Sequence, residues 1–283
     1  GAEAAALVLS NVQPAQAGSY SVVVSNHLGV VVSDVATLTV QPPPPQCVEV
    51  PAGLVSWWAA EGNAADASGD HDGAVLNGAG FAPGRVGQAF SLAAFGQRVS
   101  VSDAPAFQLT NSLTIEGWIY IHADGGIIFM RGDNRGGLDP WMLSLAEPQR
   151  LSFRISSTTA VMDLQGPVTY QQWQHVAATL DGASGDMRLY VNGVVVASTN
   201  TPVRPFAELD AARQPGLGIG NHGGTSMDFG FRGLIDELSL YSRALTSAEI
   251  EAIVQAGSAG KCPTGQAPMI VQQPQSQTVT VGS

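Results

Sequence analysis

Lysine is almost missing from this chain: Lys261 is the only one in 283 residues. A phosphate-binding lysine site and a basic nucleic-acid face are excluded with it, because no Lys/Arg cluster exists and the net charge is −11. Charged residues of all kinds make up 12% of the sequence, about half the usual share, which argues against a coiled coil or a charge-driven disordered tail. Cysteine occurs twice, without neighbouring Cys or His at zinc-ligand spacing. No apolar run approaches the roughly 18–20 residues that span a bilayer, so no membrane insertion is expected within these residues. The chain opens on Gly1 with no basic n-region or signal core and reads as an excerpt from something longer.

What is present is Gly, Pro, Val, Ser and Thr in short alternating segments. Pro42 to Pro45 favour a stiff polyproline II spacer and mark a boundary. Beyond it the period is two. In LTIEGWIYI, Leu113, Ile115, Ile119 and Ile121 share one face, with Glu116 and Trp118 on the other. RLSFRIS alternates in the same way, and MRLYVNGVVVAS carries an Asn192-Gly193 hairpin turn. About a dozen such strands with turn signals between them indicate two packed antiparallel sheets. One helix is expected near the end, where Thr246 and Glu249 form a capping box, Ile250, Ile253 and Val254 an apolar stripe, and Gly257 a stop.

The stretches GLVSWWAAEGNAADASGDHDG, FAPGRVGQAFSL, SLTIEGWIYI, YQQWQHVAATLDG, MRLYVNGVVVAS and FRGLIDELSLYSRALTSAEIEAI resemble, in order, the laminin-G-like, concanavalin A-like jelly-roll family of large bacterial secreted proteins. That resemblance implies a two-sheet sandwich with adjacent ends, frequently a bound calcium, and a binding role. QAGSYSVVVSNHLG is similar to the tyrosine corner of an immunoglobulin-like domain, with Tyr20 as the corner residue, Gly29 in a hairpin turn, Gln16 in place of the usual Asp and Val22 in place of Cys. PMIVQQPQSQTVTVGS resembles the first strand of another such domain. The expected organisation is therefore all-β. Residues 1–41 are half an immunoglobulin-like sandwich and 42–46 a proline linker. A jelly roll with one short C-terminal helix spans 47–262, and 263–283 begin a following immunoglobulin-like domain.

Cys47 and Cys262 bracket the jelly roll alone. Where the ends of a sandwich meet, a bond between them clamps the domain and implies an oxidising, extracellular or cell-surface setting; two unpaired thiols are the alternative. DASGDHDG places Asp66, Ser68, Asp70 and Asp72 at alternate positions, as a hard cation such as calcium requires, although these residues also suit an ordinary turn. It is no EF-hand, since Ala79 stands where a bidentate Glu belongs. Asp236 of the IDE motif is the expected further ligand, because the family pairs its opening and closing motifs in space.

Catalytic residues are expected to be none. Glu116 stands alone on its strand, and Asp236 and Glu237 are adjacent and expected on opposite faces, whereas retaining glycoside hydrolysis needs two carboxyls about 5–5.5 Å apart. The five histidines are scattered. For a sugar site, Trp141 is the expected exposed platform and Asn221, His222 and Asp228 the polar partners, while Trp118 and Trp173 read as core. Arg131-Gly132-Asp133 spells an adhesion tripeptide and reads as coincidence. These features point to a non-catalytic recognition, adhesion or spacer module for a glycan or surface protein, working with neighbouring domains of its own chain. The alternative is the targeting module of a carbohydrate-active enzyme.

Overall fold

Strict alternation forces a choice of faces, and the computed structural model shows which face each segment buries. It describes residues 7–9, 12–40, 46–94, 96–133, 139–146, 148–223 and 229–262. The chain divides into two units, Gly1–Pro45 and Gln46–Ser283. The expected linker prolines 42–45, the stretch 263–283 and Asp228 lie outside the described residues.

In the first unit, β1 (Gly18–Tyr20) pairs with β4 (Ala36–Leu38), and β2 (Val23–Asn26) pairs with β3 (Gly29–Val32). The Asn26 side chain closes the β2–β3 turn by accepting from the amides of Leu28 and Gly29. The Tyr20 hydroxyl donates to the Gln16 carbonyl at 2.6 Å.

In the second unit the strands are β5 (Leu54–Trp58), β6 (Gly73–Leu76), β7 (Gly80–Pro83), β8 (Gln88–Leu92), β9 (Arg98–Ser102), β10 (Leu113–Ile121), β11 (Gly126–Gly132), β12 (Trp141–Ala146), β13 (Arg150–Ser156), β14 (Val161–Pro167), β15 (Trp173–Leu180), β16 (Asp186–Val191), β17 (Val194–Asn200), β18 (Gly216–Ile219) and β19 (Gly233–Tyr241). One sheet runs β17-β16-β15-β10-β19-β8-β7, with β5 also on β19; the other runs β14-β13-β12-β11-β18-β9-β6. Their inner faces, among them Ile115, Ile119, Leu189 and Leu240 against Phe129, Leu143, Phe153 and Ile219, make one apolar cluster. This is the all-β sandwich that the period-two pattern implies. Asn192 and Gly193 both take positive φ, 50° and 80°, as a two-residue hairpin demands.

Helix α1 (Ser247–Ala256) has its capping box between Thr246 and Glu249 and ends on Gly257 at φ 55°. It lays Ile250 and Ile253 on Ala177, Tyr190 and Tyr241, at the outer side of the eight-stranded sheet. Cys47 and Cys262 are bonded, with their Cα atoms 4.9 Å apart. Beside them the Cys262 amide donates to the Val48 carbonyl and the Val48 amide to Gly260. Among the described residues no helix is long and apolar enough to cross a membrane.

Candidate functional site

Glu116 lies on β10, and Asp236 and Glu237 lie on β19. Glu116 and Lys261 are buried together, with Nζ 3.2 Å from Glu116 Oε1 and 3.3 Å from Glu237 Oε2. His175 Nε2 lies 2.9 Å from the other Glu116 oxygen, and the Tyr241 hydroxyl donates to Oε1 at 3.3 Å. The ammonium also sits 5.2 Å from the Trp57 ring centroid. Burial alone would raise the Glu116 carboxyl, but the Lys261 charge and the His175 hydrogen bond reverse that and hold it at about 2. Burial raises Glu237, against the attraction of Lys261.

The expected separation of Asp236 and Glu237 onto opposite faces is corrected by a β-bulge. Glu237 has φ 55°, and the register against β10 slips between Glu116 and Trp118. One extra residue on β19 brings both acids to the side that carries Glu116 and Trp118. Asp236 Oδ2 accepts from the Arg85 and Val86 amides at 2.7 and 2.8 Å, while its Oδ1 has no hydrogen-bond partner among the described residues. Burial, aided by the Glu237 charge, pushes this carboxyl up to about 7. Between the ordinary carboxylate range and pH 7 the folded Asp236 holds a proton that the unfolded chain has released, so this group lowers stability as pH rises. Asp236→Asn keeps an acceptor for both amides and removes that burden. It is expected to stabilise the protein by roughly 1–2 kcal/mol at pH 8 and by little at pH 5, measured by urea unfolding at both values.

The expected metal ligands divide between two tasks. Asp66 Oδ1 accepts from the Trp57 amide and from the Ser68 amide and hydroxyl, and its other oxygen lies 3.3 Å from His71 Nδ1. Asp72 caps the Asp66 amide at 2.8 Å. Asp70 and Asp72 are exposed. Asp236 is spent on residues 85 and 86. Among the described residues no group of three or more His, Cys, Asp or Glu is placed to hold a metal ion. As placed, Asp66, Ser68 and Asp72 form a hydrogen-bonded turn, while Asp236 is held by the separate amides of residues 85 and 86.

The expected sugar platform is corrected as well. Trp141 is 0% exposed and packs 5.2 Å from Phe129 in the sandwich core. The alternation Trp141, Leu143, Leu145 against Met142 and Ser144 already carried that signal. Asn221 is buried and braces its own loop, accepting from the amides of His222 and Phe229. His222 is partly buried, and burial followed by the Arg98 charge lowers its pKa. Arg131 and Asp133 are both 0% exposed; Arg131 clasps the Asp103 carboxylate, so the tripeptide presents no adhesive surface.

Trp118 is buried on the outer side of the sheet, between the Arg85 guanidinium at 4.8 Å and the His175 ring at 5.3 Å. Trp173, read from the sequence as core, is only half-buried. The phase of β15 marks it: Val176, Ala178 and Leu180 point inward, so Trp173, His175 and Ala177 point outward.

The model of the Concanavalin A-like lectin/glucanases superfamily matches residues 94–251, more than half of the chain. No curated protein matches it. Among solved structures, domain 4 of AbnA, a GH43 extracellular arabinanase from Geobacillus stearothermophilus in complex with arabinotriose, is similar at 20% identity and TM-score 0.54, covering 70% of this chain and 96% of that one. The binding domain of Botulinum Neurotoxin DC in complex with SialylT is similar at 16% identity and TM-score 0.51, covering 68% and 47%. Trypanosoma rangeli sialidase is similar at 20% identity and TM-score 0.55, covering 73% of this chain and 33% of that one. The chain thus spans about half of the toxin domain and a third of the sialidase. At these identities the likeness is one of fold.

Proposed function

The chain belongs to the Concanavalin A-like lectin/glucanases superfamily, and from that premise we propose that its jelly roll is a non-catalytic recognition module for a glycan or a surface protein. One observation carries the reading. Glu116 and Glu237 are buried against Lys261 and His175, and Asp236 is buried with one oxygen held by two backbone amides, so none faces solvent as an acid or base awaiting substrate. The similar domain of the arabinanase holds arabinotriose, and the toxin domain is in complex with a sialylated ligand, which supports a glycan as the ligand class. The disulfide supports an extracellular or cell-surface location. Tyr20 bonding back to Gln16 supports an immunoglobulin-like first unit, serving as a spacer that precedes the jelly roll in sequence.

The test is turnover against retention. The full chain is expected to release no reducing ends from polysaccharides while at least one of them retards it in affinity electrophoresis. Turnover that Glu116→Gln abolishes would overturn the proposal. A second reading, favoured by the likeness to the arabinanase domain, makes this the targeting module of a carbohydrate-active enzyme. A catalytic domain with an acid pair in the same reading frame would establish it, and repeated modules ending in an anchor would favour the first.

Calcium is a separate proposal, confined to the Asp66–Asp72 turn, whose exposed Asp70 and Asp72 would ligate it. A melting temperature that falls by several degrees with excess chelator and recovers with added calcium is the expected result; an unchanged value removes the ion.

A further inference from the structure

At the far end of β10 and the start of β15, the outward positions carry rings that the described fold covers only in part. Tyr120 stands opposite Trp173 across the strand pair, with centroids 5.8 Å apart and planes at 71°. The His122 ring stands 5.2 Å from Tyr120, at 73°. Tyr120 and Trp173 are half-buried and His122 is exposed, although Trp118, two residues earlier in the same outward row, is buried under Arg85.

The loop around them is held in place. The His122 amide donates to Arg232, the Gln171 amide donates to Ile121, and Gln171 Nε2 donates to the His122 carbonyl at 3.3 Å. Gln171 takes φ 62°, a left-handed conformation that costs a non-glycine residue energy and aims its neighbours. Gln171, Gln172 and Asp124 are exposed on the segments that carry the rings; Gln172 Nε2 donates to Thr169 at 2.7 Å, and Asp124 receives the Tyr170 hydroxyl.

Rings with an exposed apolar surface beside fixed amides and a carboxylate match the two sides of a sugar. The C–H face of the ring stacks on the aromatics, and the hydroxyls bond to the amide and acid groups. We propose that Tyr120, His122 and Trp173 form the glycan platform of this module, with Gln171, Gln172 and Asp124 as its polar rim. The ligand class is a neutral oligosaccharide, because the rim's own charged group is the exposed Asp124 carboxylate, which repels uronic or sialic acids at close range. This rests on the binding reading above and adds its location and its ligand class.

Isothermal titration of the full chain with arabinotriose, cellohexaose, mannohexaose and sialyllactose tests it. At least one neutral sugar is expected to bind, and Trp173→Ala is expected to weaken it about tenfold or more with circular dichroism and melting close to wild type. His122→Ala, at an exposed position, is expected to weaken it as well and stands in if the tryptophan variant misfolds. Arg154→Ala, on the other sheet beside Asp163, is expected to leave affinity unchanged. If the wild type binds a neutral sugar and both platform variants bind it equally well, the platform is refuted and the binding reading stands. Preference for sialyllactose refutes the ligand class. If no sugar binds, the glycan reading itself fails and the platform falls with it.

Discussion

A Cys47→Ala, Cys262→Ala double variant is expected to lose about 3–5 kcal/mol of folding stability. The bond closes a sequence separation of 215 residues, for which chain entropy alone gives about 5 kcal/mol as an upper figure. The measured loss should be smaller where the reduced chain keeps residual structure. Without the disulfide the ends are still held by the short parallel bridge of Val48 with Lys261, its amide bonds to Gly260 and Cys262, and the Lys261 ion pairs with Glu116 and Glu237. Urea unfolding of the variant beside the wild type, with and without reductant, measures the effect. A loss below about 1 kcal/mol would mean that those hydrogen bonds suffice without the link.

Lys261→Met is expected to cost about 3–5 kcal/mol at neutral pH, because it leaves the Glu116 and Glu237 carboxylates buried without their cation. The pH dependence distinguishes this from a packing defect. In the wild type Glu116 titrates at about 2, below its unfolded value, so its contribution is complete above the ordinary carboxylate range and is lost as pH falls toward 2. Without the ammonium, burial dominates and the carboxyl rises. The variant then gains stability as pH falls through the range in which it takes up a proton. The difference between variant and wild type should shrink steadily from pH 7 to pH 4 in parallel urea titrations. A constant gap would assign the loss to packing. Adding Glu116→Gln to Lys261→Met should recover part of it.

Sheets, hairpin turn and helix were legible because each is a local pattern. Leu113, Ile115, Ile119 and Ile121 announce one buried face, and the Thr246–Glu249 box announces one helix start. The site was less legible because pairing register decides it. His175 reads as one scattered histidine until β15 lies beside β10 and brings it to Glu116. Asp236 and Glu237 alternate on paper, and only the inserted residue at the bulge turns both to one side. Trp141 follows a Gly- and Asp-rich stretch of sequence, and its own phase with Leu143 and Leu145 is what places it inside. Lys261 carries no local pattern, and only the closed sandwich brings its ammonium to Glu116 and Glu237. The family resemblance supplied the sandwich and its adjacent ends but could not aim loop side chains, which vary most within any scaffold.

The unequal shielding of the tryptophans has an optical consequence. Trp57, Trp58, Trp118 and Trp141 are at most 5% exposed, whereas Trp173 is open to solvent on one side. A small neutral quencher such as acrylamide should therefore dim one indole out of five, the one at the rim of the sheet. The red edge of the native emission then belongs to that position, and anything settling on it would shift the colour while the four enclosed rings stay silent.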